Sequence, residues 1–485
     1  MARSRNHSSN GSPSPSVGSL LELIIADVIA TQTMSTKDWW AQNSNDPLVS
    51  MAIPTANRRE YRVTQKGIDA AHSLTQQTWD KRESLRQLTE RKRFDQISFT
   101  AIGETIAGAK ALFRVGDGEK DDDAAFWTTL AAEYDRNLDR LSQATRGDTD
   151  RHIPCHLFDA DQRVESFSIG PVCFLPREDW VARFVSEPAV ADIVRAVGCG
   201  DRSADALREE ALALGSKEVV FQAWEIVAFL RRYGWVATIR LIDHESGRSQ
   251  QKASILIGLA IDALGLRFQA GDATRFAKSD RAQLVGDIRF ATTLSGKVLH
   301  GSTFHRAGLG SAPGKLAAKV LGERLWLDAA GAVLAAYVSA RQSGRAAHII
   351  ERWANALYWV GEARREPSDF MAVVHYGCAL DGLTGAGGSI KPMTDFAEAA
   401  LAPAPESAGG AGVPIAEAVR PVYAEGRNKL AHGEMPELLE DLGDVRRLGD
   451  DLLVHLFDRV TLDLAEAIVT TPLKLDIPSD HAIRG

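Results

Sequence analysis

The chain has 485 residues, of which 45% are hydrophobic and 25% charged, and a formal net charge of -8. That length exceeds what one hydrophobic core fills, so about two or three domains are expected, and the composition excludes a fibrous or wholly disordered chain. The net negative charge excludes coating of nucleic acid by bulk electrostatics, so a nucleic-acid substrate has to be held by a local patch.

Residues 1–19, MARSRNHSSNGSPSPSVGS, are rich in Ser, Gly and Pro and read as a disordered leader, with no signal-peptide core or cleavage site after them. Leu20 to Ile29 is apolar but broken by Glu22 and Asp27, and no later stretch approaches the uncharged span of about 20 residues that crosses a bilayer. No membrane partner is expected. Residues 20–150 carry the helical period in segments such as WDKRESLRQLTERKRFDQ, interrupted by GDGEKDDD. The basic residues Arg58, Arg59, Arg62, Lys66, Arg91, Lys92 and Arg93 alternate with Glu60, Asp69, Glu83, Glu90 and Asp95, the pattern of a solvated helix face.

Residues 151–310 change character. CHLFDA, ESFSIGPVCFLP and DIRFATTLSGKVLHGSTF are short β-prone runs bounded by Gly, Pro and Asp, whereas EVVFQAWEIVAFLRRYGW and KASILIGLAIDALG have helical spacing. A mixed α+β middle domain is expected. Cys155, Cys173, Cys199 and Cys378 lie far apart without a C-x-x-C pair, which disfavours a disulfide framework or a cysteine zinc site and fits a reducing cytoplasm.

Residues 311–472 read as five helices with short connections, followed by a tail at 473–485. The first carries Leu316, Val320, Leu327, Leu334 and Val338 after Pro313, and the second carries Ala346, Ile350, Trp353, Leu357 and Val360 on one stripe. Ser368 or Asp369 caps the third, which stops near Gly385; the fourth leads into RNKLAHG; the fifth begins near Pro436 and carries Leu438, Leu442, Val445, Leu452, Leu456 and Val460. The fold class expected is mainly α: a helical N-terminal region, a mixed α+β middle domain and a C-terminal helical bundle.

Chemistry concentrates in PVYAEGRNKLAHGE. A helix starting at Pro421 and ending before Gly433 places Arg427 in its body and His432 in its last turn, where the negative end of the helix favours an imidazolium. RNA cleavage by its own 2'-hydroxyl needs a base, an acid and positive charge on the phosphorane, and no metal or other cofactor. Arg427 can grip two phosphate oxygens, His432 can move the proton, and Asn428 can orient either by hydrogen bonds. The motif offers one histidine, which fills one of two proton-transfer roles. On a regular helix Arg427 and His432 also point about 140° apart, so a homodimer that joins two motif helices is expected.

RNKLAHG resembles the R-x4-6-H signature of HEPN domains. The preceding ERWANALYWVGEARREPSDFMAVVHYGCALDGLTG resembles the Apea-like branch of that family, over about residues 312–470 in all. The resemblance implies a HEPN-like helical bundle, dimerisation through the motif helix, endoribonuclease activity on RNA with Arg427, Asn428 and His432 as the catalytic set, and a context of antiviral defence or toxin action. Lys429 beside the motif is a substrate-binding candidate. Asp381 in ALDGL stands where this branch carries an acidic residue, a supporting position. Residues 1–310 then sense a phage-derived or regulatory partner. Two other readings of the motif stay open: a helix end whose Arg and His satisfy last-turn carbonyls, and a non-catalytic HEPN module that binds RNA or a protein partner.

Spacing alone decides nothing, since Arg146 with His152, Arg151 with His156, and Arg341 with His348 also match. The first two pairs read as lying in a loop rich in Gly, Asp and Pro, and Arg341 in a break between helices. GLGSAPGKL fails as a P-loop: five residues separate Gly308 from Gly314, and Leu316 stands where Ser or Thr binds magnesium. His152, Cys155 and His156 lack a second pair of zinc ligands and read as a loop leading into a strand. His300 and His305 read as ordinary hydrogen-bonded histidines, Glu119 to Asp123 as a solvated acidic run, and Trp39, Trp326 and Trp353 as core residues.

Overall fold

In a computed structural model the described residues are 15–35, 37–39, 52–113, 123–159, 162–230, 233–281, 286–292, 295, 298–304, 314–339, 345–402, 414–431, 433 and 441–470. The protein is mainly α with a mixed α+β middle. Two compact units are present, one of residues 1–149 with 241–251 and one of 150–240 with 252–485. Among the described residues no helix is long and apolar enough to cross a membrane.

The first unit is built from α1 (Val17–Gln32), α2 (Gln65–Lys81), α3 (Glu83–Leu88), α4 (Arg91–Phe113) and α5 (Asp123–Ala144), with a small antiparallel pair, β1 (Ala52–Pro54) and β2 (Glu60–Arg62). Leu21, Ile24, Leu74, Phe94, Ile102 and Leu138 fill its core. Inside it the hydroxyls of Thr75, Ser98 and Tyr134 form a chain, each step 2.8 Å, so these buried groups satisfy one another. Asp27 of α1 accepts from Thr64 N–H at 2.6 Å and from its hydroxyl at 2.7 Å, fixing the start of α2. Trp39 is buried, its indole N–H donating to Val63 O. Of the acidic run only Asp123, the first residue of α5, lies within the described residues.

The middle residues form a five-stranded sheet in the order β4 (Phe167–Ile169), β5 (Val172–Pro176), β6 (Trp235–Glu245), β3 (Arg146–His156) and β7 (Ala277–Lys278). The segment expected as a loop is thus strand β3, and it carries Arg146, Arg151, His152, Cys155 and His156. Its polar start is held in pairing by Arg146, which bridges to Asp243 at 3.1 Å, and by Asp148, which accepts from Asp243 N–H at 3.1 Å. Cross-strand partners of this kind let a Gly- and Asp-rich run stay extended. The sheet is accompanied by α6 (Arg177–Phe184), α7 (Pro188–Gly198), α8 (Ala204–Leu214), α9 (Val219–Leu230) and α10 (Ser246–Leu266), then by α11 (Ala270–Ala273) and a hairpin of β8 (Gly286–Thr292) and β9 (Val298–Phe304). His300 lies in β9; His305 is outside the described residues.

The C-terminal helices are α12 (Lys315–Gly322), α13 (Arg324–Val338), α14 (Arg345–Arg365), α15 (Asp369–Thr384), α16 (Ile390–Leu401), α17 (Ile415–Arg420), a π-helical segment (Pro421–Asn428), α18 (Lys429–Ala431) and α19 (Gly443–Thr470). Five helices are therefore too few. The first expected helix divides at Glu323, and α16 is additional, its Met393 and Ala397 buried and its Pro392 harmless near the helix start. The apolar stripes face inward: Leu316, Leu327 and Leu334, then Ile350, Trp353, Leu357 and Val360, then Leu452 and Leu456 are buried. Pro313 and 434–440, which include the expected start of the last helix, lie outside the described residues.

One buried charge ties these helices together. Arg364 of α14, 4% exposed, donates to both oxygens of Asp450 on α19 at 2.6 and 2.8 Å and to the carbonyls of Gly265 and Phe268, at and just beyond the end of α10, at 2.6 and 3.3 Å. Tyr376 of α15 donates to the same Asp450 at 2.8 Å, and burial beside that carboxylate holds its hydroxyl well above the ordinary tyrosine range. Removing one partner of a buried pair leaves the other charge unsatisfied, at a cost of about 3–5 kcal/mol. Arg364→Ala is therefore expected to lower the denaturation midpoint sharply, whereas Arg447→Ala, which breaks an exposed pair with Asp444, leaves it unchanged; urea titration of both variants measures this.

Candidate active site

The motif segment is not the regular α-helix that spacing suggests. The helical run begins at Ile415, before Pro421, and from Pro421 to Asn428 it is wound as a π-helix. Pro421 has no N–H to donate, and its ring crowds the carbonyl four residues earlier, so the α pattern cannot continue through it. The run resumes α geometry at Lys429–Ala431 and ends at Gly433, whose φ of 70° is the left-handed stop that glycine adopts freely. His432 lies outside the described residues.

The π-helical segment crosses α15 at very close range. A side chain at Gly377 would overlap the Cβ and Cγ of Arg427, the latter 2.7 Å from the position of an added methyl. A side chain at Gly426 would overlap Val373 and come within 3.0 Å of Pro421 O. Two glycines inside helices, each costing about 1 kcal/mol of helix propensity, are explained by this approach. Gly377 gives Arg427 its seat.

The polar end of Arg427 then meets a specific set of groups. Its Nη1 donates to Asn428 Oδ1 at 2.9 Å, and its guanidinium lies 5.4 Å from the ring centre of Tyr423. Its Nε is buried with no partner among the described residues. Tyr423 is itself 1% exposed, and burial together with the neighbouring Asp381 charge pushes its hydroxyl pKa up while Arg427 pulls it down. Asp381 binds the Tyr423 hydroxyl and accepts from Gly388 N–H at 3.0 Å. The structure thus brings Arg427, Asn428 and, through Tyr423, Asp381 into one chain of contacts. Lys429 is exposed beside it.

Tyr423, Gly377 and Gly426 are the residues that sequence reasoning missed. A visible signal existed in two glycines within strong helical patterns, HYGCAL and YAEGRN, where each costs about 1 kcal/mol relative to Ala.

Other candidates are weaker. A cavity of about 490 Å³ is lined by Arg281, Arg364, Arg365 and Arg446, but each already faces a carboxylate: Glu362 at 3.0 Å, Asp450 at 2.6 Å, Asp262 at 2.5 Å and Asp369 at 2.8 Å. Among the described residues no group of three or more His, Cys, Asp or Glu is placed to hold a metal ion. His152 is enclosed by Trp180 and Phe184, with Trp180 Nε1–H donating to its Nδ1 at 3.1 Å. Burial pushes the Cys155 thiol far up. His348 lies exposed on α14, and Arg341 is outside the described residues.

Compared with models of known protein families, with curated proteins and with solved structures, the chain has no match in any of the three.

Gly377→Ala is expected to displace Arg427 and destabilise the fold by about 1–3 kcal/mol, as overpacking does; thermal melting measures the loss. Burial lowers the His152 pKa below its ordinary value, so the neutral ring contributes stability that is present above about pH 6.5 and lost as pH falls through the lowered folded value. The melting midpoint should drop on that acid side, and drop less in His152→Gln.

Proposed function

We propose that residues 311–472 form a HEPN-like domain and that the protein is a metal-independent endoribonuclease acting as a homodimer through the motif helix. The observation that carries this reading is the state of Arg427. Arg267, Arg281, Arg364, Arg365 and Arg446 nearby each face a carboxylate. Arg427 has none among the described residues, and it keeps a buried Nε without an acceptor. An oriented guanidinium whose charge no carboxylate cancels is a receptor for a phosphate approached through its Nη atoms.

In this mechanism Arg427 binds the scissile phosphate and neutralises the charge that builds on the phosphorane. Asn428 accepts from Nη1 and so holds the fork in orientation, while Tyr423 and Asp381 support it from below. One His432 takes the proton of the 2'-hydroxyl as that oxygen attacks phosphorus; the His432 of the second protomer gives a proton to the departing 5'-oxygen. The products are a 2',3'-cyclic phosphate and a free 5'-hydroxyl. Lys429 meets a flanking phosphate. The setting we propose is the cytoplasm, in antiviral defence or a toxin-like role, with residues 1–310 receiving a phage-derived or regulatory partner.

Labelled RNA incubated in excess EDTA with the purified protein should be cut to fragments ending in cyclic phosphate. Arg427→Ala and His432→Ala should each lower the rate by about 10²–10⁴. Equal cleavage by the variants and the wild type would sink the assignment, and RNA binding without cleavage would favour a non-catalytic module.

A further inference from the structure

Arg352 of α14 stands at the far end of α15 from the buried Arg364. Its guanidinium lies directly against the α carbon side of Gly385, where any added side chain would overlap Cζ, Nη1 and Nη2. Gly385 is the left-handed residue, φ 63°, at which α15 stops. Like Arg427, and unlike the other arginines facing this bundle core, Arg352 has no carboxylate partner among the described residues. It is half-buried, with its guanidinium seated on Gly385, a residue that is itself exposed.

Among the described residues the ground between the two arginines is only partly covered. At about 100° per residue, Val374, Cys378, Gly382 and Gly385 lie on the quarter of α15 between the side that meets Arg427 at Gly377 and the side that meets α14 through the His375 and Trp359 rings. Val374, Cys378 and Gly382 are only partly covered, and an added methyl at Gly382 would meet nothing within 4 Å. The short Gly385–Gly388 turn links the two cations: Arg352 rests on its first residue, and the Tyr423 hydroxyl that lies beneath the Arg427 site is 3.4 Å from the methyl position of its last. Three residues span at most about 11 Å.

We infer that Arg352 is a second phosphate-binding residue, which takes a neighbouring phosphate of a single-stranded RNA whose scissile phosphate sits on Arg427. The inference rests on the ribonuclease reading of the motif segment and adds the path of the substrate: across this partly covered strip of α15, with the two guanidinium groups as its rails. A single strand fits because its phosphates are free to follow that strip while the bases turn away, whereas a duplex holds its backbone in a fixed helix.

The test is fluorescence anisotropy of a labelled 2'-O-methyl oligouridylate, which lacks the attacking hydroxyl and is not consumed, titrated at several salt concentrations. Arg352→Gln should weaken binding about fivefold or more at low salt and flatten the plot of log affinity against log salt by about 0.7, the loss of one phosphate contact. Arg352→Lys should keep the slope, and both variants should melt with the wild type. The inference is overturned if Arg352→Gln binds like the wild type while Arg427→Ala loses affinity. It is equally overturned if the Gln and Lys variants lose binding together with a lowered melting midpoint, which marks a structural role. A wild type that does not bind the oligonucleotide, or binding that Arg427→Ala leaves intact, overturns the reading of the motif itself and this inference with it.

Discussion

The guanidinium of Arg364 is the constraint around which the second unit is arranged. An arginine taken out of water has to have its donors met, and here they are met by one carboxylate on α19 and two carbonyls at the end of α10. That requirement fixes three helices at once. It extends to a fourth because Tyr376 donates to the same Asp450, and Gly449 lets α19 press against the Tyr376 ring, its would-be methyl 3.1 Å from Tyr376 Cβ. The residue after Tyr376 is Gly377, the seat of Arg427. Rigidity at the buried arginine is therefore delivered one residue away from the candidate site.

The same unit uses arginine in two opposite ways. Arg364, Arg365 and Arg446 are neutralised by carboxylates and carbonyls and act as struts. Arg427 is held by aromatic and amide partners instead, which orient a cation without cancelling its charge. A protein with a net charge of -8 has to create such local positive potential by withholding acidic partners, since it has no surplus of basic residues to spread over a face.

The helical character of the chain was legible because the apolar stripes are regular: Ile350, Trp353, Leu357 and Val360 sit where a period of 3.6 puts them, and Gly385 ends α15. Strand character at β4 and β5 was equally legible from SFSIGPVCFLP, and Gly170 at φ 57° makes the turn that pairs them. The central strand β6 was not, because Trp235 to Ile239 are buried without interruption, and an unbroken apolar run has no period of two to read. Strand β3 was hidden by its Gly and Asp residues, whose partners are distant in sequence. At the site, the Arg and Asn of RNKLAHG stood out by residue type, and Asp381 only through the family resemblance. Tyr423 did not, since a lone aromatic in a helix reads as core, and the contact of Gly377 with Arg427 depends on a crossing that no local pattern encodes.

The π-helical winding of Pro421–Asn428 has a consequence for how this segment tolerates change. A helix closed by i to i+5 hydrogen bonds holds an extra residue relative to an α-helix over the same rise, so the segment behaves as a one-residue insertion in an otherwise α-helical run. Deleting a single codon there would restore the ordinary ladder and leave the residues beyond it in place, but it would remove the wide turn that carries Arg427 against Gly377. Substitutions along the segment change one side chain at a time; a change of length changes the aim of the whole motif.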